Sequence, residues 1–166
     1  MKKLFLASAL ALFGAVTMNA QTTGNFKLGA HIGIPVGDAA DAVSFNAGVD
    51  AGYVWNVAPK FELGLITGYS HYFGKDIDTG FGTYNVPDLG IVPLAATGQY
   101  NVDGGFNLGL DLGYAFYVAD GADGGGFYYQ PKVGYNVGAG NVYLGYKGIS
   151  DEGTVGSINL GYIHKF

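Results

Sequence analysis

The chain has no cysteine and no arginine, and both absences limit what it can be. Without cysteine it can have neither a disulfide framework nor a lipid-modified amino-terminal cysteine. Eight lysines, two of them among the first three residues, stand against thirteen acidic residues, so nucleic acid is not an expected partner. After residue 20 there is also no apolar run of the roughly 20 residues that a membrane-spanning helix needs. Hydropathy alone would therefore indicate a water-soluble protein.

The first 20 residues have the pattern of a cleavable secretory signal peptide. A basic start precedes a mostly apolar stretch at residues 4–17, and the small Ala20 precedes Gln21. The apolar stretch is too short for a helix that spans a membrane. We therefore expect residues 1–20 to be removed on export, which leaves one domain at residues 21–166.

Glycine and aromatic residues are abundant, with 30 glycines, 13 tyrosines and 11 phenylalanines. In GFNLGLDLGYAF, residues 105–116, apolar residues occupy every second position and small or polar residues the others. Strict alternation of this length predicts a β-strand with two unlike faces. The same pattern predicts eight strands, at residues 25–34, 45–57, 61–73, 89–102, 105–116, 127–137, 142–149 and 155–166. The fourth is the least regular, because Pro93 removes a donor from the hydrogen-bond ladder.

The connections between the predicted strands alternate in length. Short turns are predicted at residues 58–60, 103–105 and 138–141, and longer polar loops at residues 35–44, 74–88, 119–126 and 150–154. An even number of strands with short turns at one end and long loops at the other is typical of bacterial outer-membrane barrels. The sequence thus predicts an all-β fold: an eight-stranded antiparallel up-and-down transmembrane β-barrel with short periplasmic turns and longer extracellular loops.

Two observations favour a barrel whose apolar face meets lipid. The polar face is rich in glycine, which leaves room in the narrow interior of an eight-stranded barrel. Aromatic residues cluster near both strand ends, as at the two interfaces of a membrane barrel. The predicted interfacial residues are Phe26, Phe45, Trp55, Phe61, Tyr69, Phe73, Tyr100, Phe106, Tyr114, Phe116, Phe127, Tyr129 and Phe166. The alternative is a soluble lipocalin-like barrel with the apolar face inside, which would leave Asp50, Glu62 and Asp111 in water.

Charged residues of the polar face form a predicted lumen network: Lys27, His31, Asp50, Glu62, Asp111, Lys132 and Lys147. Counting from the short turns puts His31 near Asp50, and Asp111 near Lys132. Buried charges persist by pairing, so we expect a salt-bridged interior filled by side chains. A narrow ion or proton path through the same residues is the alternative. A catalytic role for His31 and Asp50 has less support, because no nucleophile is evident beside them.

Two further motifs give weaker indications of chemistry. Ser70 and His71 could suggest a lipid hydrolase, but alternation puts Ser70 inside and His71 outside, and the Gly-x-Ser-x-Gly signature is absent. Asp76 and Asp78 are spaced like the first ligands of a calcium loop, yet the twelfth position is Pro87. They are weak metal candidates. We predict no catalytic residues, no enzyme activity and no cofactor.

Nine of the thirteen acidic residues fall in the predicted long loops, where Lys75 is the one lysine. They are Asp38, Asp41, Asp76, Asp78, Asp88, Asp120, Asp123, Asp151 and Glu152. A solvated rim is the simpler expectation. The functional alternative is divalent-cation bridging to anionic surface glycolipid, or recognition of a basic partner, since oxygen ligands favour Mg²⁺ or Ca²⁺.

The signal peptide, the alternating segments and the ending SINLGYIHKF resemble the small outer-membrane β-barrel family, the OmpA- and OmpX-like eight-stranded proteins. The segment IVPLAATGQYNV, residues 91–102, is similar to the fourth strand of outer-membrane β-barrel-domain proteins. The resemblance implies that the protein resides in the cell outer membrane and contacts its lipid and glycolipid. It also implies that the barrel-assembly machinery recognises the terminal Phe166. Because no catalytic triad can be assembled from the sequence, we expect a structural or surface-interaction role, with the four long loops as the candidate binding surface. A small porin-like channel and, with less support, a lipid-modifying enzyme are the alternatives.

Overall fold

Alternating side chains give each strand of this chain two unlike faces, and eight such strands close into a barrel. The structure is a computed structural model that describes residues 24–78, 82–118, 124–151 and 153–166, so the predicted signal peptide lies outside the described residues. In chain order the elements are β1 (Gly24–Val36), α1 (Ala39–Ala42), β2 (Val43–Ala58), β3 (Phe61–Gly74), β4 (Asp76–Asp78), β5 (Thr83–Asn85), β6 (Leu89–Asn101), β7 (Phe106–Val118), β8 (Gly125–Val137), β9 (Gly140–Ser150) and β10 (Thr154–Lys165).

The barrel is an antiparallel meander in which each of the eight strands pairs with the next one along the chain. β3 pairs with β6, because β4 and β5 form a separate two-stranded hairpin. β10 pairs with β1, from Lys165 opposite Lys27 to Gly156 opposite Val36, and this ladder closes the barrel. The predicted fold class is therefore confirmed.

Two of the predicted loops contain regular structure, which corrects the sequence-based boundaries. β1 continues to Val36, the single-turn helix α1 follows, and β2 already begins at Val43. Between β3 and β6, Asp76 pairs with Asn85 in the β4–β5 hairpin. Within the described ranges no helix is long and apolar enough to cross a membrane. At the opposite end the connections are short, and Gly104 adopts a φ of 84° in the turn before β7, a conformation that favours glycine.

The apolar face of the strands points outward. In β7, Leu108, Leu110 and Leu112 are 56%, 44% and 43% exposed, whereas Asp111 between them is 0% exposed. Ile34 of β1 is 70% exposed. A soluble barrel would bury these residues and expose the carboxylate. The lipocalin-like alternative is therefore wrong.

The inner face is polar over only part of its length, which corrects the prediction of a polar inner face. Near the loop end it carries a buried apolar and aromatic cluster, which we call the plug: Tyr72, Ile91, Ala95, Ala115, Tyr128 and Ile149. Ile91 and Ala95 were missed because the segment at residues 89–102 is apolar on both faces, so alternation did not show which residues point inward. Val54 of β2 is also apolar and buried on the inner face.

Prolines interrupt the ladders at two places. The pairing of β3 with β6 breaks beside Pro93, between Thr67–Leu94 and Ser70–Ile91, and the Thr67 hydroxyl donates a hydrogen bond to the Pro93 carbonyl at 2.8 Å. The pairing of β8 with β9 breaks at residues 130–131, where Pro131 has no N–H to donate. Both strands still pair continuously with β7 on their other side, so the barrel remains closed.

Candidate functional site

The barrel interior has three levels, and the lumen network predicted from the sequence occupies the lower two. At the turn end is an open chamber that we call the vestibule, which includes Lys27, Glu62, Gln99, Asn101, Asn136 and Lys165. At mid-height is a group that we call the middle cluster: His31, Asp50, Ser70, Asp111, Gln130, Lys132, Tyr143 and Lys147. The plug lies at the loop end. Each level has its own chemistry.

Four side chains of the middle cluster form one hydrogen-bonded unit. The Nδ1–H of His31 donates to Asp50 Oδ2 at 2.7 Å, and Lys147 Nζ donates to Ser70 Oγ at 2.7 Å. His31 Nε2 lies 2.9 Å from Lys147 Nζ and 3.0 Å from Ser70 Oγ. Because an ammonium group can only donate, Nε2 accepts from it and the imidazole carries its proton on Nδ1. The Tyr143 hydroxyl also donates to Asp50 Oδ2, at 3.3 Å.

Strand register and one glycine explain why these groups meet. Gly48 lies directly between His31 and Ser70 in the register of β1, β2 and β3. A Cβ at Gly48 would lie 2.6 Å from His31 Nε2. Because Gly48 has no side chain, the imidazole can extend across β2 and reach the serine on the next strand. The position therefore requires glycine for this close approach.

The second pair of the middle cluster joins β7 and β8. Lys132 Nζ donates to Asp111 Oδ2 at 2.6 Å, with the two side chains 13% and 0% exposed. The same ammonium lies 5.5 Å from the centre of the Tyr143 ring, within range of a cation–π contact. Asp111 Oδ1 and Gln130 Nε2 are buried and have no hydrogen-bond partner among the described residues. The ion pair is therefore short and buried, while two polar atoms beside it have no hydrogen-bond partner among the described residues.

In the vestibule two lysines share one carboxylate. Glu62 accepts from Lys165 at 2.6 Å through Oε1 and from Lys27 at 2.7 Å through Oε2. Lys27 also donates to Gln99 Oε1 at 3.2 Å. The lumen prediction included Lys27 and Glu62 but not Lys165, although alternation had put Lys165 on the inner face. Only the closing ladder, which sets Lys165 opposite Lys27, brings the three together.

The plug residues pack on one another at the loop end and make few hydrogen bonds. The Tyr72 hydroxyl lies 3.0 Å from Ser157 Oγ, and the Tyr128 hydroxyl donates to Gln130 Oε1 at 2.6 Å. Next to the plug, both amide atoms of Asn46 are buried without a partner among the described residues.

The interpretation that no nucleophile lies beside His31 and Asp50 is wrong, since Ser70 completes an Asp–His–Ser series. The spacing resembles that of a hydrolytic triad, in which the imidazole accepts the serine proton. Here Lys147 already donates to the His31 nitrogen that would take that proton. Ser70, His31 and Lys147 are 1%, 3% and 1% exposed, so all three lie buried in the barrel interior. The unit joins β1, β2, β3 and β9 by hydrogen bonds.

The neighbouring His71 lies on the outer face, away from Ser70. Its Nε2 and Asp88 Oδ2 are 3.0 Å apart, and Gly74 N–H donates to Asp88 Oδ1 at 2.9 Å. The pKa of the Asp88 carboxyl lies below its ordinary value. The hydrogen bond from Gly74 N–H is the larger cause, and the hydrogen bond with His71 is the second. This contact fastens the loop before β6 to the end of β3.

The predicted metal candidates do not form a loop site. Asp76 and Asp78 lie in the extended strand β4, and Asp76 Oδ1 accepts from Asn85 Nδ2 at 2.5 Å. Across residues 24–78, 82–118, 124–151 and 153–166 no group of three His, Cys, Asp or Glu side chains could hold a metal ion. Of the other acidic loop residues, Asp38, Asp41 and Asp151 are exposed, whereas Asp120, Asp123 and Glu152 lie outside the described residues.

The predicted interfacial aromatic residues lie on the outer face. The most exposed, at 40–67%, are Phe26, Phe45, Tyr69, Tyr100, Phe106, Tyr114, Phe116, Phe127 and Phe166; Trp55, Phe61, Phe73 and Tyr129 are half-buried. Near the loop end Phe45 and Phe73 stack at 4.3 Å between ring centres. At the turn end Phe166 packs on Phe26 at 6.1 Å, and its N–H donates to the Phe26 carbonyl. Both rims of the barrel therefore carry aromatic side chains.

Comparison with known proteins identifies the fold and no family. No family model and no curated protein sequence matches the chain. A de novo designed transmembrane β-barrel matches with a TM-score of 0.56 and 14% identity, over 88% of this chain and 98% of that one. The outer membrane protein Ail of Yersinia pestis matches in a phospholipid nanodisc with a TM-score of 0.56 and 17% identity, over 87% of this chain and 100% of Ail. Its crystal structure gives 0.52 and 13%, over 86% and 97%.

Proposed function

We propose that this chain is an outer-membrane β-barrel protein with a structural or surface-interaction role, exported with a signal peptide that is then removed. The observation that carries the proposal is the inversion of the barrel: Leu108, Leu110 and Leu112 are exposed while Asp111 between them is fully buried. Such an exterior is stable in lipid and costly in water. The short turns then face the periplasm and the long loops face outward.

The interior supports a closed barrel better than a pore. The middle cluster pairs its charges across strands, and the plug covers it toward the loops. An eight-stranded barrel is only wide enough to be filled by side chains. No catalytic step is assigned, because Lys147 occupies the His31 nitrogen that a serine nucleophile would need.

The partners follow from the outer surface. The aromatic rims and apolar belt support contact with membrane lipid and glycolipid. Phe166, on the edge of the closing strand pair, supports recognition by the barrel-assembly machinery during insertion. The exposed Asp38, Asp41 and Asp151 support a surface ligand that is basic or bridged by divalent cations. No cofactor and no nucleic acid enter the proposal.

A narrow ion channel is the second candidate, favoured by one observation. Asp111 Oδ1, Gln130 Nε2 and the Asn46 amide are buried polar atoms without partners among the described residues, and such atoms commonly bind internal water. A continuous file of water through them would conduct ions.

Conductance of the chain from Gln21, refolded into a planar bilayer, distinguishes the two candidates. A shift between unboiled and boiled samples on a gel first establishes that the barrel is folded. We expect no discrete openings from the folded chain, because the plug closes the loop end, and none from Asp111→Asn. Steady openings whose size changes in Asp111→Asn would overturn the closed barrel in favour of the channel.

A further inference from the structure

The vestibule is a built cavity that the proposed function does not use. It has a volume of about 460 Å³ and opens at the turn end of the barrel. Small-molecule sites commonly occupy about 300–1,000 Å³ and combine apolar walls with a few fixed polar groups. Here Ala139 and Ile163 line the wall, and lysine and amide side chains supply the polar groups.

One ammonium group of the vestibule is accessible to a ligand. Lys27 and Lys165 both bond to Glu62. The Glu62 and Lys27 side chains are only 7% and 14% exposed, whereas Lys165 is 34% exposed at the cavity edge. Water screens such partly buried groups less than surface charges. Lys165 is therefore the ammonium group that an anionic ligand can reach.

Hydrogen bonds inside the vestibule occupy several of its side-chain acceptors. Asn136 Oδ1 accepts from Asn107 at 3.1 Å and from Asn141 at 2.9 Å. Asn101 Oδ1 accepts from Gln99 at 3.0 Å. Both oxygens of Glu62 and the Gln99 oxygen are likewise bonded to lysine.

The N–H groups that remain point to an acceptor. Within the described residues the Lys165 ammonium group makes one hydrogen bond, to Glu62, so two of its N–H groups are left. The NH₂ groups of Asn101 and Asn136 make no hydrogen bond to another described side chain, and both residues line the cavity. A carboxylate, which only accepts, fits this surplus of donors.

We propose that the vestibule binds the carboxyl end of a short peptide or a similar small monocarboxylate, with its carboxylate on Lys165 and its amide groups on Asn101 and Asn136. The carboxylate accepts from the ammonium group that Lys165 leaves accessible at the cavity edge. The volume is far larger than a bare ion requires, so the rest of the ligand lies against Ala139 and Ile163. This binding does not depend on the proposed surface role, since it can be measured on the purified barrel whether or not the loops bind anything.

The test uses N-acetyl-alanyl-alanine and its carboxyl-terminal amide as a matched pair of probes. Each is titrated into the isotope-labelled protein in detergent micelles, and NMR shifts of the Asn101 and Asn136 side-chain amides are followed. We expect saturable shifts with the acid and at least about tenfold weaker binding of the amide, as for loss of a charge-assisted hydrogen bond. Equal binding of the two probes, or no saturable shift with the acid, would overturn the proposal.

Variants locate the site. Lys165→Gln should weaken binding of the acid about tenfold, and Lys165→Arg should restore most of it, because the positive charge returns. Lys60→Gln is the matched control: Lys60 lies at the same end of the barrel but bonds to the exposed Asp103. If Lys165→Gln fails to show the gel shift of a folded barrel, Asn136→Ala replaces it. Asn136 is exposed, and its substitution removes a predicted ligand contact. Unchanged affinity in a folded Lys165→Gln or Asn136→Ala protein contradicts the assignment.

Discussion

The two ends of the barrel interior are built from opposite chemistry. At the turn end the inner face carries lysines, a glutamate and amides around an open vestibule of about 460 Å³. At the loop end it carries the plug, whose rings and branched side chains are almost completely buried. The same up-and-down strands supply both ends. The difference teaches that alternation decides which face a residue occupies. It does not decide how polar the inner face is at each height along the barrel axis.

The middle cluster depends on this contrast. Its charges lie between the apolar plug and the open vestibule. Low dielectric surroundings strengthen each ion pair and make a charge that loses its partner costly. Substitutions at three kinds of place separate the contributions of the buried pair, the junction with the plug and the exposed rims.

Asp111→Ala should cause the largest loss of stability. It removes the acceptor 2.6 Å from Lys132 Nζ and leaves an ammonium group whose side chain is 13% exposed. Breaking a buried ion pair from one side costs about 3–5 kcal/mol, which is the expected drop in the free energy of unfolding. Denaturant unfolding in lipid vesicles, followed by the fluorescence of Trp55, measures it.

The matched control is Asp103→Ala, at the turn end. Lys60 Nζ and Asp103 Oδ1 are 2.8 Å apart, and their side chains are 47% and 89% exposed. Because exposed ion pairs contribute little, the free energy of unfolding should not change measurably. Its own readout is the pKa of Lys60, which the hydrogen bond to Asp103 raises and which should fall toward the ordinary value. Equal losses of stability in the two variants would refute the difference between interior and rim.

Tyr128→Phe should have a smaller effect, and one larger than Tyr72→Phe. The Tyr128 hydroxyl is the donor to Gln130 Oε1, and the other amide atom of Gln130 already lacks a partner among the described residues. Leaving a buried acceptor unpaired costs about 1–3 kcal/mol. In Tyr72→Phe the Ser157 hydroxyl keeps its bond to Asn159, so the expected cost is about 0.5–1.5 kcal/mol. The same unfolding assay ranks the two variants. A larger loss of stability in Tyr72→Phe than in Tyr128→Phe would show that the hydrogen bond from Tyr72 contributes more than the one from Tyr128 to Gln130.

The smallest effect is expected at the loop-end rim, in the titration of Asp88. Gly74 N–H and, second, His71 lower the pKa of Asp88, so the contact is fully formed above the ordinary carboxyl pKa. Its contribution to stability is lost as pH falls through the lowered value. His71→Gln should raise the pKa of Asp88 only part of the way, because the Gly74 bond remains. Carbon NMR of the Asp88 carboxyl against pH measures the shift, and an unchanged pKa in the variant would exclude His71 as a cause.

The strands and their closure could be predicted because they depend on a local property, the alternation of side chains. The contacts of the site could not, because they depend on stagger between strands. Ser70 was predicted to point inward, yet only the register through Gly48 shows that it meets His31. In the same way, Lys165 joins Glu62 only because the closing ladder sets it beside Lys27.

The plug escaped prediction for a different reason. Ile91 and Ala95 lie in a strand whose two faces are both apolar, so no contrast in polarity marks the inner one. The helix α1 and the β4–β5 hairpin are short elements in polar segments, where turn residues predict loops. Periodicity is informative only where the two faces of an element differ.

The pairing of β1 with β10 also governs how the chain can fold. The two strands stand at opposite ends of the described sequence, and their ladder closes a loop that contains the six other strands of the barrel. Contacts between residues so far apart in sequence slow folding, because the entropy of closing the loop is lost before the contacts form. Until then β1 and β10 are open edges with unpaired N–H and C=O groups, able to pair with another chain. The ladder that begins with Lys27 opposite Lys165 therefore removes the two open edges of the barrel.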